Sequence, residues 1–214
     1  MTIQIYLTLM LTTIIMTTIL TVIFAPIILK SEFKKIKLDV SIDDMKLLEK
    51  RIKQFFTENN LPICSDIETI AKVLNIKKGG DDPDLTTMQA RLSSADKNGI
   101  YTVTFKPGLG YAERLFAFAH ECAHVINQDQ TPVNRPDGHN KPLDEQLADY
   151  TAAALLMPYD EVNKVLITSN YAGLKKNARI KVIKRLCKQF DVSDIIALRR
   201  VNEVIALNKA YAET

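Results

Sequence analysis

Apolar side chains dominate the start of the chain, and charged residues begin only after them. From Ile3 to Leu29 most residues are Ile, Leu, Met, Val or Thr, and none is charged. A helix needs about 20 apolar residues to cross a bilayer, so residues 1–30 are predicted to form one transmembrane anchor. A cleaved signal peptide is the alternative, but it requires a basic start and a shorter apolar core.

The residues that follow predict the orientation of this anchor. Lys30, Lys34, Lys35 and Lys37 come directly after the apolar stretch, and no basic side chain precedes it. Basic residues concentrate on the cytoplasmic side of a membrane span. We therefore expect a single-pass membrane protein with its N-terminus outside, residues 31–44 as a basic juxtamembrane linker, and the remainder in the cytoplasm.

Helical periodicity appears within and beyond the linker. Ser41 followed by Asp44 is a variant of the capping-box pattern, and apolar residues then recur every three or four positions. This pattern predicts a helix over residues 41–59. A second helix is predicted over about 65–74, and the Gly- and Asp-rich residues 77–84 predict a loop.

The apolar runs become shorter after this loop. The turn-forming sequence Asp-Lys-Asn-Gly at 96–99 is preceded by the apolar residues Ala90 and Leu92. It is followed by Val103 and Phe105. Short alternating runs around such a turn are typical of a β-hairpin. We expect a small antiparallel sheet here.

The last part of the chain again has helical periodicity. Ile180, Ile183 and Leu186 share one face of a helix whose other face carries Lys and Arg, and Ser193 is predicted to cap a final helix. A basic face of this kind is interpreted as a solvated surface. A helix-turn-helix DNA-binding unit and a docking face for an acidic protein are the alternatives.

Composition and charge bear on nucleic-acid binding, on the cellular compartment and on the number of domains. The 214 residues include 28 basic and 25 acidic side chains, for a net charge of +3, which is too small to predict direct nucleic-acid binding. The three cysteines lack the paired spacing of zinc sites and fit a reducing compartment. After the anchor, the chain is long enough for one domain, and we predict a core over 45–160 and a C-terminal helical region over 161–214.

The most specific motif in the chain is His120-Glu121-Cys122-Ala123-His124. The chain has only three histidines, and two of them occur at this spacing. On a helix, residues four apart lie on the same face, so both rings can hold one metal ion. The pattern His-Glu-x-x-His is that of the zincins, in which zinc acidifies a bound water and the Glu accepts its proton. Two ordinary helix histidines are the alternative.

A catalytic zinc usually has three protein ligands, so a third must come from elsewhere. Asn127 and Gln130 stand where the metzincin pattern requires Gly and His, which excludes that class. A helix predicted from Leu143 carries Glu145 and Asp149 one turn apart. If Glu145 binds the metal, Asp149 can orient a ligand histidine through its other ring nitrogen. A solvated acidic helix start is the alternative.

The predicted loop between the two metal-bearing helices, residues 127–142, contains the third histidine. His139 is a candidate for stabilising the developing oxyanion, or for serving as an alternative ligand. Loops that border an active site often carry such functional groups. A solvated loop histidine without a role is the alternative.

A longer stretch of sequence surrounds these motifs. It comprises Arg114–His124, Glu145–Asp149 and Ala152–Pro158, which ends in Leu-Leu-Met-Pro. Together these segments resemble the ImmA/IrrE family of metallopeptidases, and a weaker similarity extends over about residues 45–205. Cys122 departs from the family pattern, which more usually has a small or apolar residue there. It is interpreted as a core thiol, with an oxidation-sensitive position as the alternative.

The resemblance implies an α+β, mostly helical zincin-like metallopeptidase domain, here preceded by the membrane helix. It implies a Zn²⁺ site formed by His120, His124 and Glu145, with Glu121 as general base and Asp149 orienting a ligand histidine. Family members cut helix-turn-helix repressors, so the expected partner is a DNA-binding repressor protein.

The overall expectation is a membrane-anchored zinc metalloendopeptidase that faces the cytoplasm. One alternative is a membrane quality-control metalloprotease of broad specificity. The other is a regulatory binding module that keeps the zincin fold without turnover.

Overall fold

The computed structural model describes residues 40–128 and 142–213. These residues form seven α-helices and three β-strands, together with a short 3-10 turn at Tyr171–Gly173. In chain order the elements are α1 (Ile42–Glu58), α2 (Ile67–Val73), β1 (Ile76–Asp81), β2 (Ala90–Leu92), β3 (Tyr101–Phe105), α3 (Tyr111–Asn127), α4 (Leu143–Leu156), α5 (Tyr159–Thr168), α6 (Lys176–Phe190) and α7 (Asp194–Ala212).

The predicted membrane anchor, residues 1–30, lies outside the described residues, as do residues 31–39 of the predicted linker. Within the described ranges, no helix combines the length and the apolar character that crossing a bilayer requires. The anchor and its orientation therefore stay predictions from the sequence.

Helix α1 begins as the sequence predicts. The hydroxyl of Ser41 accepts a hydrogen bond from the backbone N–H of Asp44 at 3.1 Å, which satisfies one of the free donors of the first turn. The apolar residues from Met45 to Phe56 that recur at helical spacing are buried against the rest of the domain. The capped start and the apolar face together explain why this segment is helical.

The sheet is small and mixed, with the strand order β1-β3-β2. Strands β2 and β3 are antiparallel, with Ala90 opposite Phe105 and Leu92 opposite Val103, so the predicted hairpin is confirmed. Strand β1 pairs with β3 in parallel, with Ile76 opposite Tyr101. The prediction of a purely antiparallel sheet was therefore wrong, as was the loop predicted over the first part of residues 77–84.

Gly79 gives the physical reason for this error. A Cβ atom at Gly79 would lie 2.9 Å from Cγ2 of Thr102 and 3.0 Å from the backbone oxygen of Val103. The glycine is present because β1 approaches β3 closely near a shift in register between Lys78 and Asp81. Glycine at this position indicates close strand packing, whereas the composition of the segment had indicated a loop.

Helix α3 lies at the centre of the domain. It contacts strands β2 and β3 as well as helices α1 and α4, and the rings of Phe118 and Phe105 pack with their centroids 6.2 Å apart. At its start, Nη2 of Arg114 lies 2.6 Å from Oδ1 of Asp81 at the end of β1. These contacts fix α3 against the sheet before any polar group of the site is considered.

The last two helices are joined by a short turn. Asp191 adopts a left-handed conformation with φ of 53° at the end of α6, and the Ser193 hydroxyl accepts from the backbone N–H of Ile196 at 3.4 Å, as predicted for the cap. Helix α6 buries Ile183 and Leu186 and exposes most of its basic residues. Helix α7 packs against α1, α4, α5 and α6.

Candidate metal centre

The site is built on α3, which carries His120, Glu121 and His124. Gly110 caps its start, and the backbone N–H of this glycine donates to the Glu113 carboxylate at 2.9 Å. Gln128, in a left-handed conformation, follows its last residue. The ring centroids of His120 and His124 are 4.6 Å apart and their Nε2 atoms 3.0 Å apart. The four-residue spacing therefore aims both Nε2 atoms at one point, as a shared metal ion requires.

Helix α4 supplies the third donor. Oε2 of Glu145 lies 3.3 Å from Nε2 of His120, and Oε1 lies 3.3 Å from Nε2 of His124. Fully buried alanines, Ala119 and Ala123 on α3 and Ala148 and Ala152 on α4, belong to the core that these helices share. Small side chains allow two helices to approach closely, and this approach brings the carboxylate of Glu145 to both rings.

The spacing of the three donor atoms fits a metal ion such as zinc. Ligand atoms about 2.0–2.1 Å from a tetrahedral zinc lie about 3.3 Å from one another. The two Nε2 atoms are 3.0 Å apart, and each lies 3.3 Å from a different oxygen of Glu145. The three residues are only 6–9% exposed, so the ion would be held away from bulk water. Among the described residues, these three form the group of donors suited to holding a metal.

Asp149 lies on the far side of the His120 ring from the donor cluster. Its Oδ1 is 2.9 Å from Nδ1 of His120, and this buried nitrogen has no aligned hydrogen bond to a described residue. The carboxylate of Asp149 is therefore the group placed to hold the Nδ1 proton. A proton kept on Nδ1 leaves the lone pair of Nε2 free to bind a metal.

Glu121 is next to His120 in the chain and is also buried. Both residues line a cavity of about 630 Å³. A carboxylate at the wall of a cavity and beside a metal site is in the place that a general base occupies. The structure brings Glu121 to the site, and its catalytic role stays a prediction.

Two further walls of the cavity come from outside the helices that carry the donors. One is the segment from Thr87 to Ala90, which leads into the edge strand β2, and the other is the start of α7, through Ser193, Ile195 and Ile196. Ile195 is 56% exposed. Helical periodicity in the sequence did not indicate this position, because it depends on how α7 packs against the rest of the domain.

Of two other residues singled out in the sequence, His139 and Cys122, the structure describes only Cys122. His139 lies outside the described residues, so its role stays a prediction from the sequence. Cys122 is fully buried in the core, and burial, together with the charge of Glu121, raises the pKa of its thiol to about 12. A buried thiol with a raised pKa is a poor nucleophile, in agreement with the core interpretation.

A buried polar network joins α7 to α1 on the other side of α4. Arg200 is fully buried and donates to Oε1 of Glu49 at 2.7 Å and to the backbone oxygen of Met157 at 2.9 Å. Burial opposes the charge of Arg200, but Glu49 and Glu203 outweigh this effect and raise its pKa. The hydroxyl of Tyr150 also donates to Glu49 at 2.7 Å. The network fixes α7 against the helices that carry the site.

The fold and the donor cluster define a class of protein. A mostly helical α+β domain with two histidines on one helix and a glutamate on the next, beside a cavity, has the organisation of a zincin-like domain.

Comparison with known proteins identifies the family. The sequence model of peptidase family M78, described as IrrE N-terminal-like domain, matches residues 82–202. This match covers more than half of the chain, and the chain belongs to this family. The matched range includes α3, α4 and the first half of α7. The resemblance to the ImmA/IrrE family is thereby confirmed.

Similarity to individual proteins is low. No curated protein sequence matches the chain. Among solved structures, a Mycobacterium tuberculosis transcriptional regulator is 20% identical, with a TM-score of 0.47. The similar region covers 72% of this chain and 45% of that one, so the chain spans less than half the length of that protein.

Proposed function

We propose that this protein is a zinc-dependent metalloendopeptidase. The observation that carries the proposal is the convergence of His120, His124 and Glu145, which each offer one ligand atom within 4.8 Å of the others, beside the buried Glu121. The family match to a peptidase supports the same reaction class.

Each residue has a role that follows from its position. Zinc, when bound, supplies a Lewis acid that polarises the peptide carbonyl and acidifies water. Glu121 takes the proton of the attacking water and then passes it to the departing amine. Asp149 keeps the ring of His120 in one orientation. The burial of these groups strengthens their electrostatic interactions.

The sheet provides a way to hold an extended peptide. Strand β2 lies at the edge of the sheet, and the residues leading into it line the cavity together with His120 and Glu121. A peptide can add to such an edge by backbone hydrogen bonds, which places its scissile bond along the cavity. We propose this mode of substrate binding for the present chain.

The substrate proposed from the family is a DNA-binding repressor of the helix-turn-helix type. Residues 1–30 are proposed to anchor the enzyme, with the described domain on the cytoplasmic side, where such a repressor is found. The absence of charged side chains from Ile3 to Leu29 and the lysines that follow them support this arrangement. Binding of the repressor rather than of DNA agrees with the small net charge of +3.

The test uses Glu121→Gln in the full-length protein. The substrates are casein and the helix-turn-helix repressor encoded nearest to the gene. We expect the zinc-loaded wild type to cut the repressor, and Glu121→Gln to lose at least about 100-fold in rate while retaining zinc. Glu161→Gln, the same change at a position on α5 away from the cavity, is the matched control.

Three results would count against the proposal. Unchanged cleavage by Glu121→Gln would exclude this residue as the general base. Repressor binding without cleavage by the zinc-loaded wild type would favour a non-catalytic binding module. Equal cleavage of casein and the repressor would favour a quality-control protease of broad specificity.

A further inference from the structure

One side chain of the C-terminal helix α7, that of Arg199, contacts the carboxylate that faces His120. Nη1 of Arg199 lies 3.2 Å from Oδ2 of Asp149, while the other oxygen of Asp149 faces the ring of His120 at 2.9 Å. One carboxylate therefore contacts a ligand histidine and an arginine at the same time. Arg199 was not among the residues singled out in the sequence.

The guanidinium of Arg199 is fixed from its other side. Its Nε donates to Oε1 of Glu203 at 3.0 Å, one turn further along α7. Glu203 is 2% exposed, and its Oε2 lies 3.6 Å from Nη1 of Arg200. Arg200 in turn donates a hydrogen bond to Glu49. Arg199 thus belongs to a buried chain of alternating charges, and its planar fork is held in one orientation.

Burial makes this ion pair matter more than a surface pair. The side chains of Arg199 and Asp149 are 15% and 12% exposed, so solvent screens their attraction only partly. Without the arginine, the carboxylate of Asp149 would keep its contact with His120 but lose the charged hydrogen-bond donor at its second oxygen. Its rotamer, and with it the orientation of the His120 ring, would then be less restricted.

We propose that Arg199 is a positioning residue of the metal site, which holds the carboxylate of Asp149 against Nδ1 of His120 so that Nε2 faces the other two donors. The inference rests on the metal site of the proposed function. It places part of the metal site's support on the C-terminal helix, 50 positions after Asp149. An ion pair that only attaches α7 to α4 is the competing explanation.

The experiment measures zinc affinity of the full-length protein by competition with a chromophoric chelator, without any substrate. Arg199→Met removes the charge and the fork but keeps a long side chain, and we expect zinc affinity to fall by about 10-fold or more. Arg199→Lys keeps the charge without the fork and should recover part of the loss. Val204→Ala, at a fully buried position of the same helix, is the control for a general loss of packing.

Two further measurements distinguish positioning of the Asp149 carboxylate from an ion pair that only attaches α7 to α4. The visible spectrum of the cobalt(II)-substituted protein reports ligand geometry, so Arg199→Met should change it and Val204→Ala should not. In a double-mutant cycle, Arg199→Met should have no further effect on zinc affinity when Asp149 is already Asn, because the arginine acts through that carboxylate.

The proposal is overturned if Arg199→Met, or Arg199→Lys where the Met variant does not fold, binds zinc with wild-type affinity and an unchanged cobalt spectrum. It is also overturned if Val204→Ala loses as much zinc affinity as the arginine variants. A protein that binds zinc in this way but cuts no substrate would contradict the peptidase proposal alone. A wild type without zinc affinity would contradict both.

Discussion

Nδ1 of His120 and Oδ1 of Asp149 lie 2.9 Å apart, on the side of the imidazole ring opposite the other two donors. The contact connects helices α3 and α4, and a carboxylate at this nitrogen favours the tautomer that carries the proton on Nδ1. Asp149, which lies outside the donor group, is thus placed to orient His120 in the proposed metal site.

Replacing Asp149 by Ala or Asn should weaken zinc binding by about 10–100-fold. Alanine removes the acceptor for the Nδ1 proton, and asparagine offers a neutral amide in place of the carboxylate. Chelator competition at pH 7.5 measures the change. Asp160→Asn, at an exposed acidic position on α5, should bind zinc as the wild type does, and an Asp149 variant with unchanged affinity would exclude the orienting role.

Zinc should stabilise the folded domain. A ligand that binds only the folded state at 100 times its dissociation constant adds about 2.7 kcal/mol, which corresponds to an increase in Tm of about 5–10 °C for a chain of this size. Thermal unfolding followed by circular dichroism, before and after treatment with a chelator, measures the difference. In His124→Ala, which lacks one donor, zinc should no longer change Tm, and an equal shift in both proteins would indicate binding elsewhere.

Gly79 should tolerate no side chain, whereas Gly80 should tolerate one. Gly79→Ala places a Cβ 2.9 Å from Thr102 and 3.0 Å from the backbone of Val103, and such overpacking costs about 1–3 kcal/mol. Gly80 has no atom within 4 Å of its ideal Cβ, so Gly80→Ala should change stability by less than about 0.5 kcal/mol. Urea unfolding of both variants tests the comparison, and equal stabilities would contradict the parallel pairing of β1 with β3.

The cap of α2 should give a pH-dependent contribution to stability. Asp66 accepts from the backbone N–H of Thr69 at 2.8 Å and from its hydroxyl at 3.0 Å, and these bonds lower the pKa of Asp66. Because the folded pKa lies below the unfolded one, the stabilisation is complete above the unfolded pKa of about 3.9 and is lost as the pH falls through the folded pKa.

Asp66→Ala should therefore cost about 1 kcal/mol at pH 7, and its difference from the wild type should narrow only below about pH 4. Asp66→Asn keeps a capping oxygen without a titrating group, so its difference from the Ala variant should not depend on pH. Urea unfolding across this pH range measures both differences. A difference between wild type and Ala that stays constant down to pH 3 would contradict the assignment.

Local patterns predicted much of the fold. The capped start of α1, the hairpin of β2 and β3, and the Ser193 cap of α7 all follow from residues close together in the chain. The parallel partner of β3 did not follow, because Lys-Lys-Gly-Gly has the composition of a loop and only its contact with Thr102 and Val103 makes it a strand. Pairing between distant segments leaves little mark on the local sequence.

The sequence by itself determined the chemistry of the donors and their arrangement on each helix. The spacing of His120 and His124, and that of Glu145 and Asp149, follows from the 3.6-residue period of the helix. The family also follows from sequence, since the model of peptidase family M78 matches residues 82–202.

Tertiary structure alone decided which of these groups meet, and what supports them. The distance of 3.3 Å from Glu145 to each histidine depends on how closely α3 and α4 pack. The packing of α7 against α4 and α1 decides two further features. It brings Arg199 into contact with Asp149, and it places Ile195 at the cavity. Helical periodicity specifies the face of each helix, whereas the packing of complete side chains across the core decides which faces come together.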